Sequence, residues 1–149
     1  MARFRYRMQS ILGIKLKMET QAKQDFAAAK AVLDEEEEKL EMLKARKAAY
    51  ESQAEELLKE HLNVRDIMDN KTAILRMDEY IGAQILQVRL AAEQVEKARQ
   101  RLAEIMKERK MHETLKEKAF MEFMQEENRA ESKEIDQLTS YTYGQKQIE

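Results

Sequence analysis

LDEEEEKLEMLKARKAAYESQAEEL, residues 33–57, is the stretch whose reading decides the fold. Leu33, Leu40, Leu43, Tyr50, Ala54 and Leu57 fall on one track of alternating three- and four-residue steps, shared with Glu36 and Lys47. That spacing marks one face of an α-helix, and the charged residues between fill the remaining faces. Glu36 and Lys47 have stems long enough to cover apolar surface while their charges reach water. Backwards, the track runs through Ala29, Phe26, Ala22, Met18, Ile14 and Ile11; forwards it reaches His61. Two successive steps of four, from Met18 to Phe26, read as a stutter that locally unwinds a left-handed supercoil. A first helix is predicted over about 3–61, and some 50 residues of helix span roughly 75–80 Å.

From Leu62 to Lys71 the pattern weakens, and a turn is expected over about 62–71. Asn63 can cap a new helix with Asp66 three residues on, and Asp69–Asn70 offers a second start. The track resumes at Ile74, Met77, Ile81, Ile85, Val88, Ala92, Val95, Ala98, Leu102 and Ile105. It thins through Arg109, His112, Leu115, Ala119, Phe123 and Ala130. Helix two is therefore expected over about 72–138. From Thr139 periodicity is lost (Ser140, Tyr141, Thr142, Tyr143, Gly144), so a disordered tail is expected over about 139–149.

Charge supports a fold-back near residue 67. Residues 1–17 hold Arg3, Arg5, Arg7, Lys15 and Lys17 and no acid, whereas 120–137 hold Glu122, Glu126, Glu127, Glu131, Glu134 and Asp136 against Arg129 and Lys133. The run Asp34–Glu38 with Glu41 mirrors onto Lys97, Arg99 and Arg101. The same register sets Leu33 near Leu102, Leu40 near Val95, Leu43 near Ala92 and Tyr50 near Ile85. Opposite charges flanking a helical seam fix partner and orientation. A parallel dimer would instead set the basic start against itself. The chain thus reads as all-α: one domain, 1–149, of two long helices forming an antiparallel coiled-coil hairpin, monomeric when free.

Composition agrees. Of 149 residues 38% are charged and 6% aromatic, with no Pro or Trp and 3 Gly, which is a profile of long helices. A formal charge of −2 gives no net basic field for nucleic acid. The arm Arg3, Phe4, Arg5, Tyr6, Arg7 looks like a nucleic-acid arm, but pairing with the acidic end of helix two accounts for it, so no nucleic-acid partner is expected. No apolar run approaches a membrane span, and Gly13, Lys15 and Lys17 break any secretory core at the N-terminus. Without Cys, disulfides and thiol catalysis are excluded. His61 and His112 belong to no metal motif, the run Asp34–Glu38 lacks the spacing of a calcium loop, and no Gly-rich loop exists to hold phosphates. A two-helix rod offers no concave pocket. No enzyme, cofactor, metal site or small-molecule substrate is expected, and a soluble cytoplasmic protein is. The 10 methionines suit gap-filling in a thin seam or adaptable contact surfaces.

The basic opening MARFRYRMQSILGIKLKMETQAKQDFAAA (1–29), followed by an acidic heptad stretch, resembles the flagellar export protein family FliJ. So does ERKMHETLKEKAFMEFMQEENRAESKEIDQLTSYTY (108–143), with its LKEKAF core at Leu115–Phe120 and its Glu131…Asp136 spacing. Where that family often has Asp followed by Glu, this chain has Asp136–Gln137. The resemblance implies a non-enzymatic stalk and adaptor of the bacterial flagellar type III export apparatus, serving motility. Its fold would be similar to the two-helix coiled coil of the gamma subunit of rotary ATP synthases. It implies that the hairpin base engages a hexameric export ATPase, that the cytoplasmic domain of the export gate is met near the other end, and that export chaperones are handled. It also implies peripheral association with the inner face of the cell membrane at the flagellar base. The gate surface aligns with Lys39, Leu43, Arg46 and Tyr50, and opposite them Ala73, Met77, Tyr80 and Gln84; Leu43 and Tyr50 match the aligned types and Met77 nearly so. For the ATPase, the residues expected at the base are Arg3, Phe4, Arg5, Arg7, Ile11, Phe120, Phe123 and Met124. The competing reading is a generic structural coiled coil, or a chaperone-handling adaptor with no ATPase partner.

Overall fold

The structure, a computed structural model, describes residues 2–59 and 62–148, with side chains through Gln145. It is an all-α hairpin of two long helices packed against each other, α1 (Gln9–Lys59) and α2 (Val64–Ile148). By contact the chain divides into two compact units, Met1–Glu19 with Glu104–Glu149, and Thr20–Ala103.

Three boundaries differ from those expected. Helix one starts at Gln9 rather than residue 3. Arg3, Arg5 and Arg7 are poor occupants of a helix N-terminus, where the macrodipole opposes positive charge. The segment instead lies against α2, with the Phe4 ring centroid 5.2 Å from that of Phe120 and 5.5 Å from that of Phe123. Helix two starts at Val64 rather than 72. Of its two possible starts the chain uses Asn63, whose Oδ1 accepts from Arg65 N at 3.1 Å and whose carbonyl accepts from Ile67 N at 3.1 Å. At its far end α2 continues to Ile148, through the tail expected to be disordered. Periodicity vanishes there because the helix has no partner among the described residues: every residue from Asn128 to Tyr143 is exposed. Loss of an apolar stripe signals loss of packing, and this stretch has no Pro to stop the helix. His61, expected as the last residue on the first track, and Glu149 lie outside the described residues.

In the unit Thr20–Ala103, α1 buries Ala22, Phe26, Ala29, Leu33, Glu36, Leu40, Leu43, Lys47, Tyr50, Ala54 and Leu57 in whole or part, as expected. On α2 the covered positions are Ile67, Asn70, Ala73, Ile74, Met77, Ile81, Gln84, Val88, Ala91, Val95, Ala98 and Leu102. Gln84 and Ala91 replace Ile85 and Ala92, which are exposed. The register shifts accordingly. Tyr50 meets Asn70, well short of Ile85, and Glu36 meets Gln84 rather than the basic group at Lys97, Arg99 and Arg101. Arg99 pairs within its own helix with Glu96 at 2.6 Å. An earlier start to α2 moves the fold-back point towards α1, and every cross-helix pair slides with it.

In the unit Met1–Glu19 with Glu104–Glu149, the seam residues of α1 are Leu12, Lys15 and Glu19, not Ile11, Ile14 and Met18. Continuing the three–four step back from Ala22 gives these same positions, so the expected stutter is absent. On α2 the track of covered positions runs Ile105, Arg109, His112, Lys116, Ala119 and Phe123, with Met106, Glu113 and Glu127 partly covered beside it and Lys116 in place of Leu115. A two-helix seam is thin. Leu12, Ala22, Met77, Ala91 and Ile105 are the buried apolar residues among those described.

Candidate docking surfaces

Most polar seam positions find a partner, whereas the buried His112 Nδ1 has none among the described residues. Glu19, 6% exposed, accepts from Arg109 Nε at 2.7 Å and Nη2 at 3.3 Å, and Arg109 Nη1 donates to Glu113 at 2.9 Å. These hydrogen bonds, Glu19 first and Glu113 second, raise the already high pKa of Arg109. Lys15 Nζ donates to Glu108 at 2.6 Å and holds that carboxyl below its usual range. Elsewhere, Gln84 Nε2 donates to Glu36, both to its carbonyl (2.9 Å) and to its carboxylate (2.5 Å). That side-chain bond is the main reason Glu36 titrates below its usual range. Lys47 bonds Asp78 at 2.6 Å, and Asn70 Nδ2 donates to the Tyr50 carbonyl (2.9 Å) and Gln53 Oε1 (3.1 Å). Buried polar groups in a helical seam specify register, provided each is satisfied.

The unit holding both chain ends carries the first candidate surface. Residues 3–8 run along α2 and enclose, with Leu115, Ala119, Glu122, Phe123 and Glu126, a groove of about 600 Å³. Phe4 and Phe123 line it, their rings tilted against each other, and Phe4 also stands edge-on to Phe120 beside the groove. Tyr6 contributes a buried hydroxyl with no hydrogen-bond partner among the described residues. Arg3, Arg5 and Arg7 line the groove, exposed, and none forms an ion pair with a described residue. Their expected pairing with the acidic end of helix two is therefore not made. Glu122 and Glu126 share the groove without closing to contact distance, while Glu131, Glu134 and Asp136 sit on the unpartnered stretch. Of the residues expected at the base, Phe4, Phe120 and Phe123 are brought together. Ile11 and Met124 are partly exposed beside the seam, at 37% and 41%.

The residues expected at the gate surface all lie in the unit Thr20–Ala103, and they separate into two groups. Met77 is buried, Leu43 and Tyr50 are half-buried in the seam, and Gln84 is committed to Glu36. Arg46 and Tyr80 are exposed, as is Lys39, whose ammonium lies near Glu35 and Glu36. Nearer the turn is an apolar surface that sequence reasoning missed. Ala54, Leu57, Leu58, Ile67, Ile74 and Leu75, with Asn70 and Lys71, line a hollow of about 310 Å³. Leu58, Leu62, Val64, Met68 and Leu75 stand exposed around the turn. The doublets Leu57–Leu58 and Ile74–Leu75 were its signal, since they widen an apolar stripe beyond what one seam can cover.

Among the described residues no His, Asp and Glu side chains converge as a metal site, and no helix is long and apolar enough to cross a membrane. The family described as flagellar FliJ protein matches residues 4–147. Among curated proteins none is similar enough in sequence to count as a relative. A solved structure from Chlamydia trachomatis, described as a YscO homologue, superposes with a TM-score of 0.76 at 21% identity, covering 99% of each chain. At that identity the likeness speaks for the fold.

Proposed function

The chain belongs to the flagellar FliJ family, and on that premise we propose that it is a stalk and adaptor of the type III protein export apparatus. It engages the hexameric export ATPase through the unit that holds both chain ends. The observation that carries this reading is the clasp of Phe4 against Phe120 and Phe123, which joins the two terminal segments into one surface with three uncompensated arginines on its edge. An aromatic anchor with arginines at the rim is the composition of a protein-binding hot spot. A ring-shaped partner with acidic or apolar walls suits it, and an asymmetric two-helix insert would contact each subunit of the ring differently.

The export gate is met by the unit Thr20–Ala103. Arg46 and Tyr80 make the direct contacts, because both are exposed. Met77 and Gln84 act through the seam they hold, and Leu43 and Tyr50 offer only their outer edges. Work at the inner face of the membrane at the flagellar base, and the handling of export chaperones, follow from the same assignment.

The test is the ATP hydrolysis rate and hexamer formation of the same organism's flagellar export ATPase, with and without this chain. Stimulation of both by the wild-type chain, and its loss in Arg3→Glu/Arg5→Glu/Arg7→Glu, is the expected result. Undiminished stimulation by the triple variant would remove the arginines from the contact. An active ATPase indifferent to the wild-type chain would leave an adaptor without an ATPase partner.

A further inference from the structure

The unit Met1–Glu19 with Glu104–Glu149 has a second hollow, which shares only Leu115 with the groove of the ATPase reading. On the outer side of α2, Lys107, Lys110, Met111, Thr114, Leu115 and Lys118 enclose a shallow hollow of about 430 Å³. Met111 is 59% exposed and Leu115 49%. Neither residue is taken up by the seam, whose nearest positions are His112 and Lys116. None of the three lysines forms an ion pair with a described residue, although the helix carries acids at many neighbouring positions. An apolar strip with unpaired cations along one side is half of an amphipathic helix–helix interface.

The dimensions and the charge select the occupant. From Lys107 to Lys118 the strip runs about three turns, or roughly 16 Å, the contact length of a short docked helix. Directly beyond it the same helix carries Glu122, Glu126, Glu127, Glu131, Glu134 and Asp136. A nucleic-acid duplex or an anionic bilayer extends past the lysines and meets that acidic stretch, whereas a short helix does not. Methionine and leucine between the lysines also favour an apolar side-chain stripe over phosphates. We propose that the Lys107–Lys118 face of α2 is a docking surface for an acidic amphipathic helix of a partner protein, one that sets leucine-type residues on Met111 and Leu115 and carboxylates against the three lysines.

The experiment uses the full chain with methyl-labelled methionine and two synthetic helical peptides, one with a leucine stripe flanked by Glu and a twin with Lys in place of every Glu. The Met111 resonance is assigned through Met111→Leu. The Glu peptide is expected to move the Met111 methyl and leave those of Met42 and Met68, which are exposed in the other unit, in place. Lys107→Glu/Lys110→Glu/Lys118→Glu, with unchanged circular dichroism, is expected to weaken binding about tenfold or more, because close charge pairs lose both attraction and orientation. Equal binding of the Lys peptide, or undiminished binding by the triple variant, would overturn the proposal. So would a Met111 shift produced as readily by phosphatidylglycerol vesicles or by a DNA duplex. A Met111 shift that appears on raising protein concentration alone, with a doubled mass by light scattering, would make the occupant a second copy and overturn it too. None of these readouts involves the export ATPase, so the surface stands or falls independently of that reading.

Discussion

Replacing Leu12 and Ile14 by alanine, one at a time, tests which face of α1 is the seam near its start. Leu12 is 3% exposed and Ile14 56%. Each change deletes about three carbons, at about 0.8 kcal/mol per fully buried methylene. For Leu12 nearly all of that is lost, about 2.3 kcal/mol, rising to about 3 kcal/mol where a cavity persists. For Ile14 less than half is lost, about 1 kcal/mol, and alanine returns about 0.4 kcal/mol through its better helix propensity. With a denaturant slope of about 2 kcal/mol/M in urea, the midpoint should fall by about 1 M for Leu12→Ala and about 0.3 M for Ile14→Ala. Urea titration followed by circular dichroism reads both. Equal shifts, or a larger one for Ile14→Ala, would refute the strict heptad and restore the track of Ile11, Ile14 and Met18.

Two further outcomes are expected. Glu108 and Glu36 are held below the ordinary value of 4.5, so each contributes stability that is complete above that pH and disappears as pH falls through the folded-state value. Lys15→Met should therefore melt below wild type near neutral pH and converge with it in acid; a gap that persists unchanged at about pH 3 would contradict the Lys15–Glu108 linkage. Asn70→Leu removes a seam polar group that is 7% exposed and bonded to Tyr50 and Gln53. It should raise stability while relaxing register, seen as self-association by light scattering. A strictly monomeric and less stable variant would show that Asn70 contributes stability rather than specificity.

Hydropathy led correctly over α1 from Ala22 to Leu57, where the apolar track and the seam coincide. It failed where an apolar neighbour drew the track off the seam: Ile11, Ile14 and Met18 beside Leu12, Lys15 and Glu19, Ile85 and Ala92 beside Gln84 and Ala91, and Leu115 beside Lys116. At each of these places the three–four step was the better guide, because packing of two helices constrains position before it constrains chemistry. Charge complementarity misled for a related reason. Blocks of opposite sign can be aligned in several registers, and exposed pairs contribute too little to choose among them. Phe4, Phe120 and Phe123 were expected together at the base because the fold-back brings both chain ends to one place. The lysine-edged hollow was not, since Met111 and Leu115 look like ordinary stripe residues until the seam is seen to pass on the other side.

By itself the sequence determined that this protein is two long helices folded back in antiparallel fashion, because a sustained helical period with one interruption and no Pro permits little else. It also carried the family, through its basic opening and the segment around LKEKAF. Only the tertiary structure decided the register, through the Asn63 cap that starts α2 at Val64 and thereby fixes which residues face each other. From that register follow the pairs Glu19–Arg109 and Glu36–Gln84, the unpartnered end of α2, and the faces left open for partners. Register is a property of two chains of positions at once, and local periodicity, which reads one helix at a time, leaves it free to slide.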